Sequence, residues 1–262
     1  MASEDTHSIV PPFGYREIVP LQKTDKVLLP SGSTPEFCRT INTMAISGGE
    51  FVAASRDYPI AFASTDGQSF APVVILGLGE AQNLFVDEGG SWDAQCYVPA
   101  FVRRYPFCMA RVLADGKPRG ESIVCVEKAY LDAGGLALYE ANGEPTAHWR
   151  EFGQLLQTFE SDLELTAQMC EAFRKLGLLE PFEFRIMNGN EPALTLKGMH
   201  RIDEQRFQAL KPANLKALVS KGFMSRIYAH FASLENFGRL YRRALALAGN
   251  AGKGNREPSP GA

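Results

Sequence analysis

Two adjacent arginines, Arg103 and Arg104, lie in "CYVPAFVRRYPF" (residues 96–107), a run otherwise apolar and aromatic. A guanidinium fork matches a carboxylate or phosphate through two parallel hydrogen bonds, so one reading is an anion site. The other is a structural clamp. One arginine would stack on Tyr or Trp and pair with an acid such as Asp57, Asp87 or Asp93, and the other would be solvated. "SRDYP" (55–59) is a second candidate, because Arg56, Asp57 and Tyr58 fall between two apolar segments. There Asp57 either helps to hold a ligand or accepts from neighbouring backbone N–H groups in a turn.

His230 and Ser233 lie three residues apart on a predicted helix and form the one nucleophile–base pair suggested locally. That spacing holds the side chains parallel, and Ser233 lacks the exposed elbow that nucleophilic serines occupy. A hydroxyl bonded back to its own helix, beside a core histidine, therefore competes with catalysis. His7 sits in the N-terminal arm, His148 at a helix start, and His200 in an H-x-x-D spacing that fits neither a zincin nor an H-x-D iron site. Cys38, Cys96, Cys108, Cys125 and Cys170 are scattered, with no C-x-x-C pair. They read as reduced core thiols of a cytosolic protein. "GLG" (77–79) does not continue to G-x-G-x-x-G and predicts no dinucleotide site. No cofactor and no metal is predicted.

The elements that must position these groups follow two regimes that meet near residue 145. Before it, short apolar segments alternate with turn signals such as "TDGQ", "DEGGSW" and "ADGKPRG". Segments 16–21, 26–29, 43–46, 59–64, 72–78, 83–87, 107–113 and 122–128 are predicted strands. Residues 107–128 read as a hairpin with Asp115-Gly116 at or near its tip. Pro99 suits the first turn of a short helix, and Tyr105 before Pro106 is pushed out of the helical region. Arg103 and Arg104 thus sit on a turn and point in different directions.

From 146 to 176 the period changes. Trp149, Phe152, Leu156, Phe159, Leu163, Thr166, Cys170 and Phe173 recur at steps of three or four, one apolar stripe on a helix of about 30 residues. Thr146 can cap its start and Gly177 its end. "FEFRIMNGNEPALTL" (182–196) reads as a second hairpin around a Gly-Asn turn. Asp203 and Pro212 start two short helices, and a last helix runs from Met224 to about Ala248. The predicted class is α+β: a β-rich N-terminal half of hairpins, in a mostly antiparallel or barrel-like sheet, packed with a long central helix and a helical C-terminal region. Residues 1–15 form an arm and 16–248 a single domain, β-rich over 16–145 and helical with one hairpin over 146–248. The Gly/Pro-rich 249–262 is expected to be a disordered tail.

A net charge of −3 and a pI near 5.9 give no global attraction to nucleic acid or to an anionic membrane. The opening "MASEDTHSIVPPFGYREI" has no apolar h-region, and no apolar run approaches the ~20 residues that span a bilayer. A cytoplasmic protein with no membrane span and no nucleic-acid partner is expected.

Three blocks say more than any of these signals: "EFVAASRDYPIAF" (50–62), "GLGEAQNLFVDEGGSWDAQCYVPAFVRRYPF" (77–107) and "IYAHFASLENFGRL" (227–240). They closely resemble the recurring blocks of the SapC family, and the resemblance runs over roughly residues 15–245. It implies a bacterial protein without an assigned activity or cofactor, of a family named for a gene beside surface-layer protein genes. It also implies an accessory role near TonB-dependent receptors, halogenase-like proteins or cupin-like hydroxylases. Position by position it points to Arg56, Asp57, Tyr58 and Pro59, then to Asn83, Phe85 and Asp87. It points further to Trp92, Tyr97, Pro99, Arg103, Arg104, Tyr105 and Pro106, and to His230 and Ser233. "GLGEAQ" departs from the family pattern near Gly79. Three readings follow: a binding or adaptor protein that recognises a peptide or partner protein, an enzyme of unrecognised type using Asp57, Arg103 and His230, and a structural subunit of a surface-assembly system.

Overall fold

The computed structural model describes residues 9–30, 32–114, 117–188 and 191–254. His7, the Asp115-Gly116 tip, the Gly189-Asn190 turn and 255–262 of the expected tail lie outside these residues. The chain begins with strands β1 (Ile18–Pro20), β2 (Lys26–Val27) and β3 (Thr43–Ala45), helix α1 (Phe51–Ala54), and strands β4 (Ile60–Ala63) and β5 (Ala71–Ile75). Helix α2 (Ala100–Arg103) precedes β6 (Phe107–Ala114), β7 (Lys117–Glu127), β8 (Leu136–Ala137) and the long helix α3 (Ala147–Lys175). Strands β9 (Leu179–Asn188) and β10 (Glu191–Ile202) follow, then α4 (Glu204–Gln208), α5 (Pro212–Ser220), α6 (Met224–Ser233) and α7 (Asn236–Gly254).

These elements form two compact units, one of Met1–Phe37 and Ala100–Ser161, the other of Cys38–Pro99 and Asp162–Ala262. Helix α3 supplies 147–161 to the first and 162–175 to the second. In the first unit β1, β7 and β6 form an antiparallel sheet, beside a small β2–β8 ladder. Successive strand residues face opposite sides. Phe107 and Val126 therefore join Val27, Leu138, Trp149 and Leu156 in one apolar cluster, while Cys108, Ala110 and Cys125 join Tyr15 and Ile18 in another. A sheet covered on both faces explains why "FCMA" and "IVCV" show no polar alternation.

In the second unit an antiparallel sheet runs in the order β3-β5-β4-β10-β9. The late hairpin thus pairs with an early strand, His200 opposite Phe62 and Met199 opposite Ala63. The change of regime near residue 145 is real in the sequence but does not divide the fold, which is α+β with open sheets and no closed barrel among the described residues.

Helix α3 starts where Thr146 Oγ1 accepts from the Trp149 N–H at 3.2 Å. It ends at Gly177, whose φ of +66° suits glycine and turns the chain so that the Leu178 N–H reaches the Phe173 carbonyl at 3.0 Å. Trp149, Leu156 and Phe159 are buried, as are Thr166, Cys170 and Phe173, whereas Phe152 and Leu163 are half-buried. Two elements differ from expectation. "NLFVD" (83–87) is an irregular turn, not a strand. The Asn83 carboxamide bonds the Phe85 N–H at 2.9 Å and the Cys38 carbonyl at 2.7 Å, competing with any ladder, and the stretch keeps only a Val86–Trp92 bridge. The last helix is two helices broken at Leu234-Glu235, and the second continues past 248 to Gly254.

Candidate functional site

In the first unit the arginine pair divides. Arg103 ends α2 and is exposed, while Arg104, one residue on, is 4% exposed. The Arg104 guanidinium lies 4.6 Å from the ring centroids of both Phe101 and Phe159 and 5.9 Å from that of Tyr15. Its carboxylate partner is Glu160 at 3.7 Å, and its Nε has no hydrogen-bond partner among the described residues. The acid is therefore none of the three expected. Glu160 is next in sequence to Phe159, so one turn of α3 presents both ring and carboxylate. The expected acids are engaged in the second unit: Asp57 accepts from the Tyr97 N–H, Asp87 from the Ser91 N–H, and Asp93 from Arg243. Half-buried Tyr105 packs its ring 5.0 Å from Tyr15 and 5.2 Å from Tyr130, and burial raises its phenol pKa.

In the second unit the family blocks converge on one polar frame. The Tyr58 hydroxyl, fully buried, accepts from Trp92 Nε1 at 2.9 Å and donates to the Tyr97 carbonyl. The Tyr97 N–H donates to Asp57 Oδ2 at 2.8 Å, and its hydroxyl to Glu50 Oε1 at 3.1 Å. Glu50 also accepts from the Ser47 N–H at 2.8 Å. Burial holds the Tyr58 phenol well above its ordinary pKa, so this hydroxyl is neutral and acts as donor and acceptor together.

Helix α7 closes the frame. Asn236 Nδ2 donates to the Ser55 carbonyl at 2.7 Å and the Tyr58 carbonyl at 3.1 Å. Arg239 Nη1 donates to the Arg56 carbonyl at 3.1 Å. Arg243 bonds the Leu84 carbonyl at 2.6 Å and Asp93 at 2.5 Å, over the Phe85 ring, and its hydrogen bond holds the Asp93 carboxyl below the usual range. Arg56 stands exposed at the rim, Asp57 is half-buried, and Asp87 closes an exposed turn through Ser91.

His230 and Ser233 belong to the same unit but not to its surface. Both are 0% exposed. His230 Nε2 accepts from the Ile202 N–H at 3.0 Å, and burial lowers the imidazole pKa to about 4. Ser233 Oγ donates to the His230 carbonyl at 2.6 Å and accepts from the Ile60 N–H at 3.0 Å. The pair stitches α6 to β4 and β10. His200 packs against Phe70, and the Asp203 of its H-x-x-D caps α4. The cysteines are free thiols, and burial pushes Cys108 and Cys170 up to about 12 and Cys96 to about 11.

Cavities of about 50, 340 and 370 Å³ occur in the second unit, beside Asp162, between α3 and α5, and beside α4, and none is lined by a predicted site residue. The structure thus gathers Arg56, Asp57, Tyr58, Asn83, Asp87, Trp92 and Tyr97 in one region. Arg103, Arg104 and Tyr105 lie in the other unit, and His230 is enclosed. Sequence reasoning missed Glu50, Glu160, Asn236 and Arg243. The signal for the last two was the run "ENFGRLYRR" (235–243), polar residues at helical spacing that begin inside the His230 block and continue past it.

The site is therefore that of an α+β protein whose buried polar frame presents arginines at its rim. The SapC family model matches residues 25–240, and the chain belongs to the SapC family. No curated protein and no solved structure matches it. No helix among the described residues is long and apolar enough to cross a membrane.

Proposed function

We propose that this SapC-family protein is an accessory binding protein that recognises a peptide or partner protein of a bacterial surface or peptide-modifying system, working in the cytoplasm. One observation carries the reading. The Tyr58–Trp92–Tyr97–Asp57 frame satisfies its own polar groups internally and leaves Arg56 exposed on a turn fixed by Asn236 and Arg239. Polar groups bonded to one another set geometry; an exposed arginine on such a support is the kind of residue that anchors an interface. Arg103, exposed beside the buried Arg104, offers the same chemistry in the first unit. The family context favours a halogenase-like or cupin-like protein, or a TonB-dependent receptor, as the partner.

The test is capture from a lysate of the native organism on the immobilised full chain, read by mass spectrometry. A defined partner, retained by wild type and lost with Arg56→Ala or Arg103→Ala, is expected. A set of captured proteins indistinguishable from the bait-free control would contradict the reading.

A further inference from the structure

Helix α7 carries Arg239, Arg242, Arg243 and Lys253 and no carboxylate, in a chain whose net charge is −3. Arg243 is committed to Asp93. Arg239 and Arg242 are exposed, and three residues apart they share a flank of the helix. Each makes one hydrogen bond, to a backbone carbonyl: Arg239 to Arg56 at 3.1 Å and Arg242 to Gly238 at 3.3 Å. Arg56 is likewise exposed and bonds only the Ala53 carbonyl, at 3.3 Å. None of the three pairs with a carboxylate among the described residues. Because Arg239 grips the Arg56 backbone, the two stand side by side. The local acids do not balance them: Asp57 is turned to Tyr97, and Glu235 is a single charge. One turn beyond Arg242, Leu245 is 52% exposed.

We propose that Arg56, Arg239 and Arg242 form a docking surface for an acidic segment of a partner protein, with Leu245 receiving an apolar side chain of that segment. This rests on the recognition reading above and names its chemistry. Unpaired guanidiniums in a protein of opposite net charge select an acidic partner by complementarity. A membrane fits less well, because the exposed Leu245 and Leu247 project about 160° apart around the helix and cannot enter one bilayer face together.

The test titrates fluorescein-labelled decaglutamate with the full chain at low ionic strength. Wild type is compared with Arg56→Glu/Arg242→Glu and with a matched control, Lys211→Glu/Lys216→Glu, at exposed positions of and beside α5. Neither Arg56 nor Arg242 bonds another element through its side chain, so the reversed variant is expected to melt with wild type; should it not, Arg242→Glu alone is read. Saturable binding, weakened roughly tenfold or more by the arginine reversal and little by the control, is expected. Absent binding, or equal weakening by both pairs, overturns the proposal. So does full displacement by millimolar inorganic phosphate, which marks a small-anion site, or co-sedimentation with phosphatidylglycerol vesicles without peptide binding. Lysate capture on the same variants separates the two readings. A partner kept by the reversed variant leaves recognition standing and refutes this surface. Decaglutamate binding with no captured partner does the opposite.

Discussion

Among the described residues each unit buries one nitrogen base, and they do it in opposite ways. Arg104 is a guanidinium, which stays charged in a protein interior. Its surroundings supply two rings at 4.6 Å, a third at 5.9 Å, and Glu160 at 3.7 Å. His230 can shed its proton and does: burial lowers its pKa to about 4, and the neutral ring accepts from Ile202. The contrast separates two solutions to the same desolvation problem. A base that cannot lose its charge needs aromatic faces and an acid in place of water, whereas one that can becomes an ordinary hydrogen-bonding core residue. Neither solution is complete: Arg104 Nε and His230 Nδ1 are both buried without a hydrogen-bond partner among the described residues.

The sharpest way to break this comparison is at the ring that serves Arg104. Phe159→Ala opens a core cavity and uncovers the guanidinium, and is expected to cost ~3–5 kcal/mol in denaturant melts. A loss below about 1 kcal/mol would mean that the α3 stripe is not core there.

The next effect belongs to His230. Its folded pKa lies below the ordinary 6.5, so between those values the unfolded chain binds a proton that the folded chain refuses. Stability therefore falls as pH drops from 6.5 to about 4, by about 3 kcal/mol in all. His230→Gln keeps an acceptor for Ile202 but cannot titrate, and should flatten that slope. Parallel pH profiles for the two proteins would refute the assignment. Asp66 and Glu171, held near 2 by their hydrogen bonds, begin to lose their contribution as pH falls through the ordinary carboxylate range, at the lower end of this window, but both proteins share that loss and it cancels in the comparison.

Smaller still is Tyr58→Phe, which strands the Trp92 indole N–H and the Tyr97 carbonyl. Unfolding free energy should drop by about 1–3 kcal/mol. An unchanged midpoint would show that the frame is solvated.

Much of the fold was legible because local chemistry decided it. The three-and-four stripe with Thr146 and Gly177 placed α3, and Asp203 and Pro212 marked α4 and α5. What stayed hidden was long-range pairing. Nothing in "FEFRIMNGNEPALTL" says that its hairpin joins β4, since alternation sets which side chains share a face but not which strand pairs with them. "NLFVD" has strand composition, but the Asn83 side chain takes the backbone bonds a strand would need. The break at Leu234-Glu235 was equally invisible, because Ser233 and Asn236 on either side bond to chain more than 170 residues earlier. At the site, residue types drew attention to the arginine pair and to "SRDYP". Burial alone decided that Arg104 and Tyr58 face inward while Arg103 and Arg56 face out.

The central claim is that each buried polar group holds the scaffold while its exposed neighbour does the recognising. It is tested most directly by Arg103→Ala and Arg104→Ala, with melting and partner capture read on the same samples. Arg104→Ala removes a buried charge from its cage and leaves Glu160 without it, and should melt early. Arg103→Ala should stay within about 0.5 kcal/mol of wild type and retain less partner. Two variants that both melt and capture like wild type would contradict the account.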